Sequence, residues 1–356
     1  MFEKKDYKKV GHTELKVSPI TLGTMTFGDQ NIQKEAFEQL DYALDQGINS
    51  FDVAEMYPVP PKKETCNATE LIIGNWVRKK RRDELIISTK IAGPRRSIDW
   101  IRGGPKSLDE NNINEAVNNS LTRMKTDYID ILYLHWPERN VPMFGQYKFE
   151  PKDEYNKDGE KILWISIENQ LNTLMKLVND GKVRYIALSN EHPWGVMEFI
   201  RVAKEKKLPL ISAIQNSYSL INRIVELGLS EILYRENLGF FAYSPLGFGH
   251  LTGKYIQNQE SLGRVNLFPG YAKRYSKPGV NFAVEDYLHI AKDFNLSLTQ
   301  MALSFVYRQW FVTSTIVGAT SMNQLKENLS SYKVFLQDDI LEKIDNIHLK
   351  RMNPAP

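Results

Sequence analysis

Eight short apolar segments alternate along this chain with longer segments of helical periodicity, and this alternation restricts the fold more than any other feature. Each segment is nearly continuous in apolar residues, as expected of a strand that is covered on both faces. Repeated strand–helix units of this kind predict a parallel sheet with right-handed crossovers. The predicted strands are residues 19–24, 48–54, 84–90, 129–136, 183–190, 210–216, 239–244 and 313–319.

The connections carry apolar residues at helical spacing. Residues 34–47 place Phe37, Leu40 and Leu44 on one stripe and end at Gly47, a residue suited to a helix C-cap. This pattern predicts amphipathic helices that cover the strands. It recurs in residues 112–124, 163–182, 297–310 and 338–349.

Eight strand–helix units favour a closed (β/α)8 TIM barrel, an α/β fold, over an open doubly wound sheet. We therefore expect a single barrel domain over residues 1–356, with residues 338–349 forming an extra helix packed on the barrel. Three connections that follow strands are longer than a minimal barrel needs, and long ordered loops over the C-terminal face usually cover a site. They are residues 91–110, 137–160 and 245–280.

Composition excludes several classes of function. The chain has 46 Lys and Arg against 43 Asp and Glu, a balance that favours neither nucleic acid nor an anionic membrane as a partner. The single cysteine, Cys66, precludes an intrachain disulfide and suits a reducing compartment. With no apolar signal segment, we expect a cytoplasmic protein. The six histidines are scattered without ligand spacing, so no metal is predicted. A monomer and a weak homo-oligomer both stay open.

Polar residues end the predicted strands, and in a parallel barrel these ends converge on one face. Asp52, Lys90 and His135 end three successive strands, and Tyr57 follows Asp52 on a loop. Each has an ordinary interpretation by itself: Asp52 and Lys90 as an ion pair, His135 as a core residue, and Tyr57 as a loop aromatic. Their convergence favours a functional site.

These four groups could reduce a carbonyl together. A lysine beside a phenol favours the phenolate and would lower the phenol pKa from about 10. Tyr57 would then donate a proton near neutral pH, while His135 binds the same oxygen and Asp52 keeps Lys90 charged. Because such a site contains no hydride source, it requires a nicotinamide.

The same residues lie in motifs that resemble the aldo-keto reductase family, in order and spacing, over essentially the whole chain. DVAEMYPVPP (52–61), GNW (74–76) and NPAP (353–356) point to its bacterial Tas-type branch. The other matching motifs are LGTMTFG (22–28), GINSFDVAEMYP (47–58), STK (88–90), YLHWP (133–137), GKVRYIALSN (181–190), IQNSYSLINR (214–223), AYSPLGFGHLTGKY (242–255) and IVGATSMNQLKENL (316–329).

The resemblance implies an oxidoreductase that reduces aldehydes and ketones to alcohols with NADPH. Tyr57 would be the proton donor, Lys90 would lower its pKa, Asp52 would pair with Lys90, and His135 would orient the carbonyl. The substrate would be a small carbonyl compound. Since some relatives of this kind bind the cofactor as sensing or interaction subunits with little turnover, and can keep all four residues, that alternative stays open.

The resemblance also implies that NADP(H) lies extended across the barrel mouth without a Rossmann domain. Ser189, Asn190 and Gln215 would hold the carboxamide, and Tyr243 would stack under the nicotinamide ring. The GFGHLTG segment (247–253) does not have the Rossmann glycine spacing. The remaining implied cofactor residues are Gly23, Thr24, Met25, Asp52, Ser244, Pro245, Leu246, Gly247, Gly249, Lys254, Arg264, Gly318, Thr320, Gln324, Glu327 and Asn328.

The choice of NADP over NAD is implied less directly. Many members of that family place a basic residue after the GA of the last strand, where this chain has Thr320 and Ser321. Arg264 is the expected replacement cation for a 2′-phosphate, and Arg274 is the second candidate.

The substrate pocket is expected to be apolar. No cationic residue stands out in the sequence as a partner for a substrate carboxylate or phosphate, so aldehydes, ketones or quinones are expected. The residues expected to line this pocket are Phe27, Met56, Trp136, Phe144 and Trp194, with Met25 and Tyr147 near its mouth. For each of them a role in packing alone stays open.

Overall fold

The eight predicted strands form a closed parallel barrel in the computed structural model of the protein, which describes residues 1–96, 98–104, 107–258, 260–271 and 273–356. The neighbours follow chain order, and the last strand closes on the first. The predicted (β/α)8 TIM barrel is therefore confirmed. Its strands are β3 (Ile20–Gly23), β4 (Ser50–Asp52), β5 (Ile86–Ile91), β6 (Ile129–Leu134), β7 (Val183–Ser189), β8 (Ala213–Ser217), β9 (Gly239–Tyr243) and β10 (Ser314–Val317).

Helices surround the barrel at the positions that the apolar stripes predict. The helix predicted over residues 163–182 begins later, because the Ser166 side chain caps it by accepting from the Asn169 amide at 3.2 Å. Gly47 follows the first helix with φ +83°, a conformation that favours glycine. The α-helices of the described residues are α1 (Gln33–Asp45), α2 (Ala68–Val77), α3 (Glu110–Met124), α4 (Ile167–Asn179), α5 (Pro193–Lys206), α6 (Leu229–Arg235), α7 (Lys254–Gln257), α8 (Arg264–Leu267), α9 (Gly279–Asp293), α10 (Leu298–Tyr307), α11 (Met322–Ser330) and α12 (Asp338–Lys350).

A short N-terminal hairpin, which the sequence did not predict, contributes to the barrel interior. It consists of β1 (Lys8–Lys9) and β2 (Lys16–Val17), which pair antiparallel. Val10, Leu15 and Val17 are buried against apolar side chains of the barrel strands. The hairpin thus covers one end of the barrel with apolar side chains and leaves the other end for the site. The strand residues of this cluster include Ile86, Ile131, Tyr133, Ala213, Phe241 and Ile316.

A larger apolar core lies between the barrel and the helices. The face of α10 buries Met301, Ala302 and Val306, and α12 buries Ile340 and Ile344 on the same layer. This packing confirms the helix predicted over residues 338–349. None of the helices in the described residues combines the length and the hydropathy that a membrane crossing requires.

Candidate active site

A cavity of about 940 Å³ opens where the carboxyl ends of the barrel strands meet. Its walls come from the strand ends and from the long connections that follow β5, β6 and β9. A volume of this size is at the upper end of ordinary ligand sites. Asp52, Tyr57 and His135 line it, and Lys90 reaches Tyr57 from the barrel interior.

A buried ion pair lies beneath the cavity. Asp52 pairs in register with Ser88 across β4 and β5, which places Lys90, two residues further on, beside the same carboxylate. The Lys90 Nζ donates to Asp52 Oδ2 at 2.5 Å and to the Val53 carbonyl at 2.6 Å. Both side chains are almost inaccessible, at 1% and 3% exposure. Loss of either partner would therefore leave an uncompensated buried charge.

The second oxygen of Asp52 is also fully engaged. Ser88 Oγ donates to Asp52 Oδ1 at 2.8 Å, and Gln215 Nε2 donates to the same oxygen at 2.9 Å. The sequence did not single out Ser88, although it belongs to the STK motif that contains Lys90. These bonds fix the carboxylate, and with it the position of the ammonium.

Tyr57 presents its hydroxyl to this pair. The Lys90 Nζ lies 3.3 Å from Tyr57 Oη. The His135 ring faces the phenol edge-on, with 6.0 Å between ring centroids. Burial and the Asp52 carboxylate raise the pKa of Tyr57 well above its ordinary value. The expected net lowering of this pKa is therefore wrong, because Asp52 largely compensates the Lys90 ammonium and the desolvation of the phenol dominates.

His135 is a neutral imidazole at physiological pH. Burial, together with the positive charges of Lys90 and Arg96, lowers the pKa of His135 well below its ordinary value. Its Nδ1 is buried and has no partner among the described residues. A neutral ring carries one N–H group, so His135 can donate one hydrogen bond to a ligand oxygen.

The residues predicted to hold a carboxamide form a connected group at the ends of β7, β8 and β9. Asn190 Nδ2 donates to the His135 carbonyl at 2.8 Å, and Tyr243 Oη donates to Asn190 Oδ1 at 2.6 Å. Ser189 Oγ donates to the Gln215 carbonyl at 2.9 Å. Asn190 has φ +55°, an uncommon conformation that turns its side chain back toward the strand ends. The group is thus linked through Gln215 to Asp52.

A second part of the cavity carries unpaired positive charge. Lys254 Nζ donates to the Leu262 carbonyl at 3.1 Å, and Arg264 Nη1 lies 3.3 Å from Met25 Sδ. Neither side chain has a carboxylate partner in the described residues. Gly249, which has φ +94°, lies close to the Lys254 side chain: a Cβ atom at this position would be 3.3 Å from Lys254 Cε. These residues fit the phosphates of a dinucleotide, and Gly318 continues this wall toward the start of α11.

Nearly all the predicted cofactor residues line the cavity, including Gly23, Thr24 and Gln324. Gly247 does not: it is buried, and a Cβ atom there would lie 2.8 Å from Ile221 Cδ1. Arg264 lies near Gly318: its Nη2 atom would be 3.9 Å from a Cβ atom built on Gly318. Arg274 instead lies beside Gly145, away from that end.

The predicted substrate pocket needs correction at three positions. Met56 and Phe144 line the cavity, but Phe27 is fully buried in the core between barrel and helices. Trp136 is also fully buried, with Nε1 donating to the Pro94 carbonyl at 2.8 Å. Trp194 is 62% exposed and packs under Arg139 at a separate small pocket. Phe27 and Trp136 therefore pack in the interior and Trp194 lies at the surface, so none of the three lines the cavity.

Several lining residues were missed because they lie on the long connections. Their side chains reach the cavity only through contacts between loops, which no local pattern in the sequence reports. The cavity-lining residues of this kind include Arg96, Phe248, Tyr271 and Tyr275.

A buried ion pair holds the loop that carries Tyr57. Glu55 accepts from Arg102 Nη2 at 2.8 Å and from the Ala92 amide at 2.5 Å. Arg102 also donates to the Ala92 carbonyl at 2.9 Å, and its side chain is 3% exposed. The pair therefore fastens the loop after β4 to the connection after β5.

The described residues contain no group of three or more His, Cys, Asp or Glu side chains that could hold a metal ion.

Comparison with known proteins gives consistent matches. The Aldo/keto reductase family model matches residues 19–348. The chain is 44% identical over 351 residues to Protein tas of Escherichia coli (strain K12), covering 98% of this chain and 99% of that protein. It is 36% identical over 282 residues to an aldo-keto reductase of Babesia bovis, covering 76% and 98%. It is 29% identical over 331 residues to L-glyceraldehyde 3-phosphate reductase of Escherichia coli (strain K12), covering 91% and 87%.

Proposed function

The chain belongs to the aldo/keto reductase family, and from that premise we propose that it reduces aldehydes and ketones to alcohols with NADPH. Membership establishes an oxidoreductase of carbonyl compounds in general terms. The observation that carries the finer proposal is the position of Tyr57 Oη, 3.3 Å from Lys90 Nζ and next to His135 at the floor of the cavity.

Bound NADPH would supply the hydride for the carbonyl carbon. Tyr57 donates its proton to the carbonyl oxygen as negative charge develops there. The raised pKa of Tyr57 keeps the phenol protonated until that moment. His135, as a neutral ring, donates a hydrogen bond to the same oxygen and orients the carbonyl. Lys90 stabilises the phenolate that proton transfer leaves behind.

The Asp52–Lys90 pair makes this proton transfer easier. Desolvation lowers the pKa of Lys90, which favours the neutral amine, while Asp52 opposes this by favouring the ammonium. With Asp52 in place, Lys90 keeps the charge that stabilises the phenolate. Asp52 is a positioning residue in this scheme, because Lys90 lies between it and Tyr57.

The cofactor assignment has support from the cavity charge. Lys254 and Arg264 are suited to the pyrophosphate and to a 2′-phosphate, since neither is neutralised by a carboxylate of the described residues. Ser189, Asn190 and Gln215 offer amide and hydroxyl groups for the carboxamide.

We place the reaction in the cytoplasm, where Cys66 would stay a free thiol. We propose neither a nucleic acid nor a membrane as a partner.

Steady-state turnover with a reactive aldehyde such as 4-nitrobenzaldehyde tests this proposal. We expect NADPH to be oxidised in step with alcohol formation, and NADPH to have a kcat/KM at least tenfold above NADH, as expected for one charge-assisted contact to the 2′-phosphate. Tight NADPH binding without turnover of any aldehyde would contradict the proposal and favour a cofactor-sensing subunit instead.

A further inference from the structure

Two arginines flank the side of the cavity that faces the connection after β6. The Arg96 guanidinium carbon lies 4.3 Å from the centroid of the Phe144 ring. A Cβ atom on the next residue, Gly145, would lie 3.5 Å from Arg274 Cβ. Both arginines line the cavity, and they contact two consecutive residues of one loop. They therefore lie on the same side of it.

Arg96 stands close to the reacting groups. Its guanidinium carbon is 5.3 Å from the centroid of the Trp136 ring, and that ring is 5.0 Å from the His135 ring. Trp136 is immobilised by its bond to the Pro94 carbonyl. Only one aromatic ring thus separates Arg96 from His135. A ligand a few bonds long can span the distance between them.

Arg274 approaches the same region from the connection after β9. Its Nε is buried and has no hydrogen-bond partner among the described residues. Burial raises the pKa of Tyr243, and the charges of Arg274 and Arg96 both oppose this rise, so both guanidinium groups act on one ring at the nicotinamide end of the proposed cofactor site. A buried donor without a partner is costly unless a ligand supplies the acceptor.

The charges in the cavity do not cancel. The two carboxylates of its lining are already engaged, Asp52 by Lys90 and Glu327 by the Ser297 hydroxyl. Lys254 and Arg264 lie near Gly249 and Gly318 and are taken up by the proposed phosphates of the dinucleotide. The remaining cations of the lining are the exposed Lys273 and the partly buried Arg96 and Arg274. Arg96 and Arg274 contact the loop after β6, where the cofactor offers no phosphate.

We propose that Arg96 and Arg274 form a subsite for an anionic oxygen group, a carboxylate or a phosphate monoester, at the non-reacting end of the carbonyl substrate. The inference rests on the proposed reductase function and names its substrate class. Arginine is suited to this task because its planar fork binds two oxygens of such a group at once. The sequence had indicated no cation for this purpose, whereas Arg96 and Arg274 both line the cavity.

Three matched aldehydes test the subsite: 4-carboxybenzaldehyde, its neutral methyl ester, and 4-formylphenyl phosphate. The wild type should reduce at least one anion with a kcat/KM about tenfold above the ester, as expected for a charge-assisted contact. Arg96→Met and Arg274→Met should each lower this ratio about tenfold, because each removes a contact that the anions make and the ester does not. The larger of the two anion ratios identifies carboxylate or phosphate as the preferred group.

Arg95→Met is the matched control, because Arg95 is the exposed neighbour of Arg96 and does not line the cavity. It should leave the anion-to-ester ratio unchanged. NADPH dissociation constants, measured by fluorescence, show whether each variant is folded.

Equal reduction of acid, phosphate and ester by the wild type would overturn the subsite while leaving the reductase function intact. So would an unchanged ratio in both arginine variants. A loss of NADPH affinity in these variants at a constant ratio would assign the arginines to the cofactor and overturn the subsite as well. If the wild type reduces none of the three aldehydes, the reductase function itself fails and the subsite fails with it.

Discussion

At the residue scale, burial sets the protonation state of the groups around the cavity more strongly than neighbouring charge does. Tyr57 holds its proton although a lysine ammonium lies next to it. His135 is neutral because burial lowers its pKa, and the charge of Lys90 acts in the same direction. The sequence identified these residues, because each ends or follows an apolar strand. It did not predict the direction of the Tyr57 pKa, since this depends on how completely Asp52 and the surrounding side chains exclude water.

His250 gives the clearest pH dependence of stability. Its ring is buried between Tyr255 and Tyr275, and neither ring nitrogen has a partner in the described residues. Burial lowers the pKa of His250 to about 4. Between this value and about 6.5 the unfolded chain binds a proton that the folded chain does not, so stability falls as the pH is lowered through this window, by up to about 3 kcal/mol.

Urea unfolding at several pH values between about 4.5 and 7 checks this prediction. His250→Gln should lose less stability than the wild type on acidification, whereas His12→Gln, at an exposed position, should follow the wild type. An identical loss in wild type and His250→Gln would show that His250 is protonated without cost in the folded protein.

At the element scale, the long connections give the site its form, and the ion pair between Glu55 and Arg102 joins two of them. The strands were predictable because a parallel strand buried on both faces is apolar throughout. The connections were not, because their conformation depends on contacts between residues far apart in the chain, such as Arg102 with Glu55 and Arg96 with Phe144. The hairpin of β1 and β2 was missed for a related reason: strands of two residues carry no periodicity.

Arg102→Met should lower both stability and activity. It leaves the Glu55 carboxylate buried without its cation, which costs about 3 kcal/mol in the free energy of unfolding. It also releases the loop that carries Tyr57, so kcat should fall by about tenfold or more while NADPH affinity stays within about twofold. Chemical denaturation and steady-state kinetics measure the two effects.

The double variant Glu55→Gln with Arg102→Met should recover part of the stability, since it removes the buried charge along with its partner. Arg81→Met, which breaks the exposed pair with Asp83, serves as the control and should change neither quantity measurably. Wild-type kcat in Arg102→Met would show that the ion pair stabilises the fold without positioning Tyr57.

At the scale of the whole molecule, barrel closure brings together residues that are distant in the chain. Asp52, Lys90 and His135 come from three adjacent strands, and parallel register places their ends at one rim. This part of the site followed from the sequence, because strand order in such a barrel follows chain order. The inward or outward direction of a bulky side chain did not follow, as Phe27 and Trp136 show by lying in packed layers outside the cavity.

The measurement that tests the central claim most directly is aldehyde reduction by Tyr57→Phe, with Tyr147→Phe as control at an exposed phenol outside the cavity lining. Removing a general acid should lower kcat by about a thousandfold, while the NADPH dissociation constant stays within about twofold. Tyr147→Phe should keep wild-type turnover. Wild-type turnover in Tyr57→Phe would contradict the role of Tyr57 as the proton donor, and with it the reaction assigned to this site.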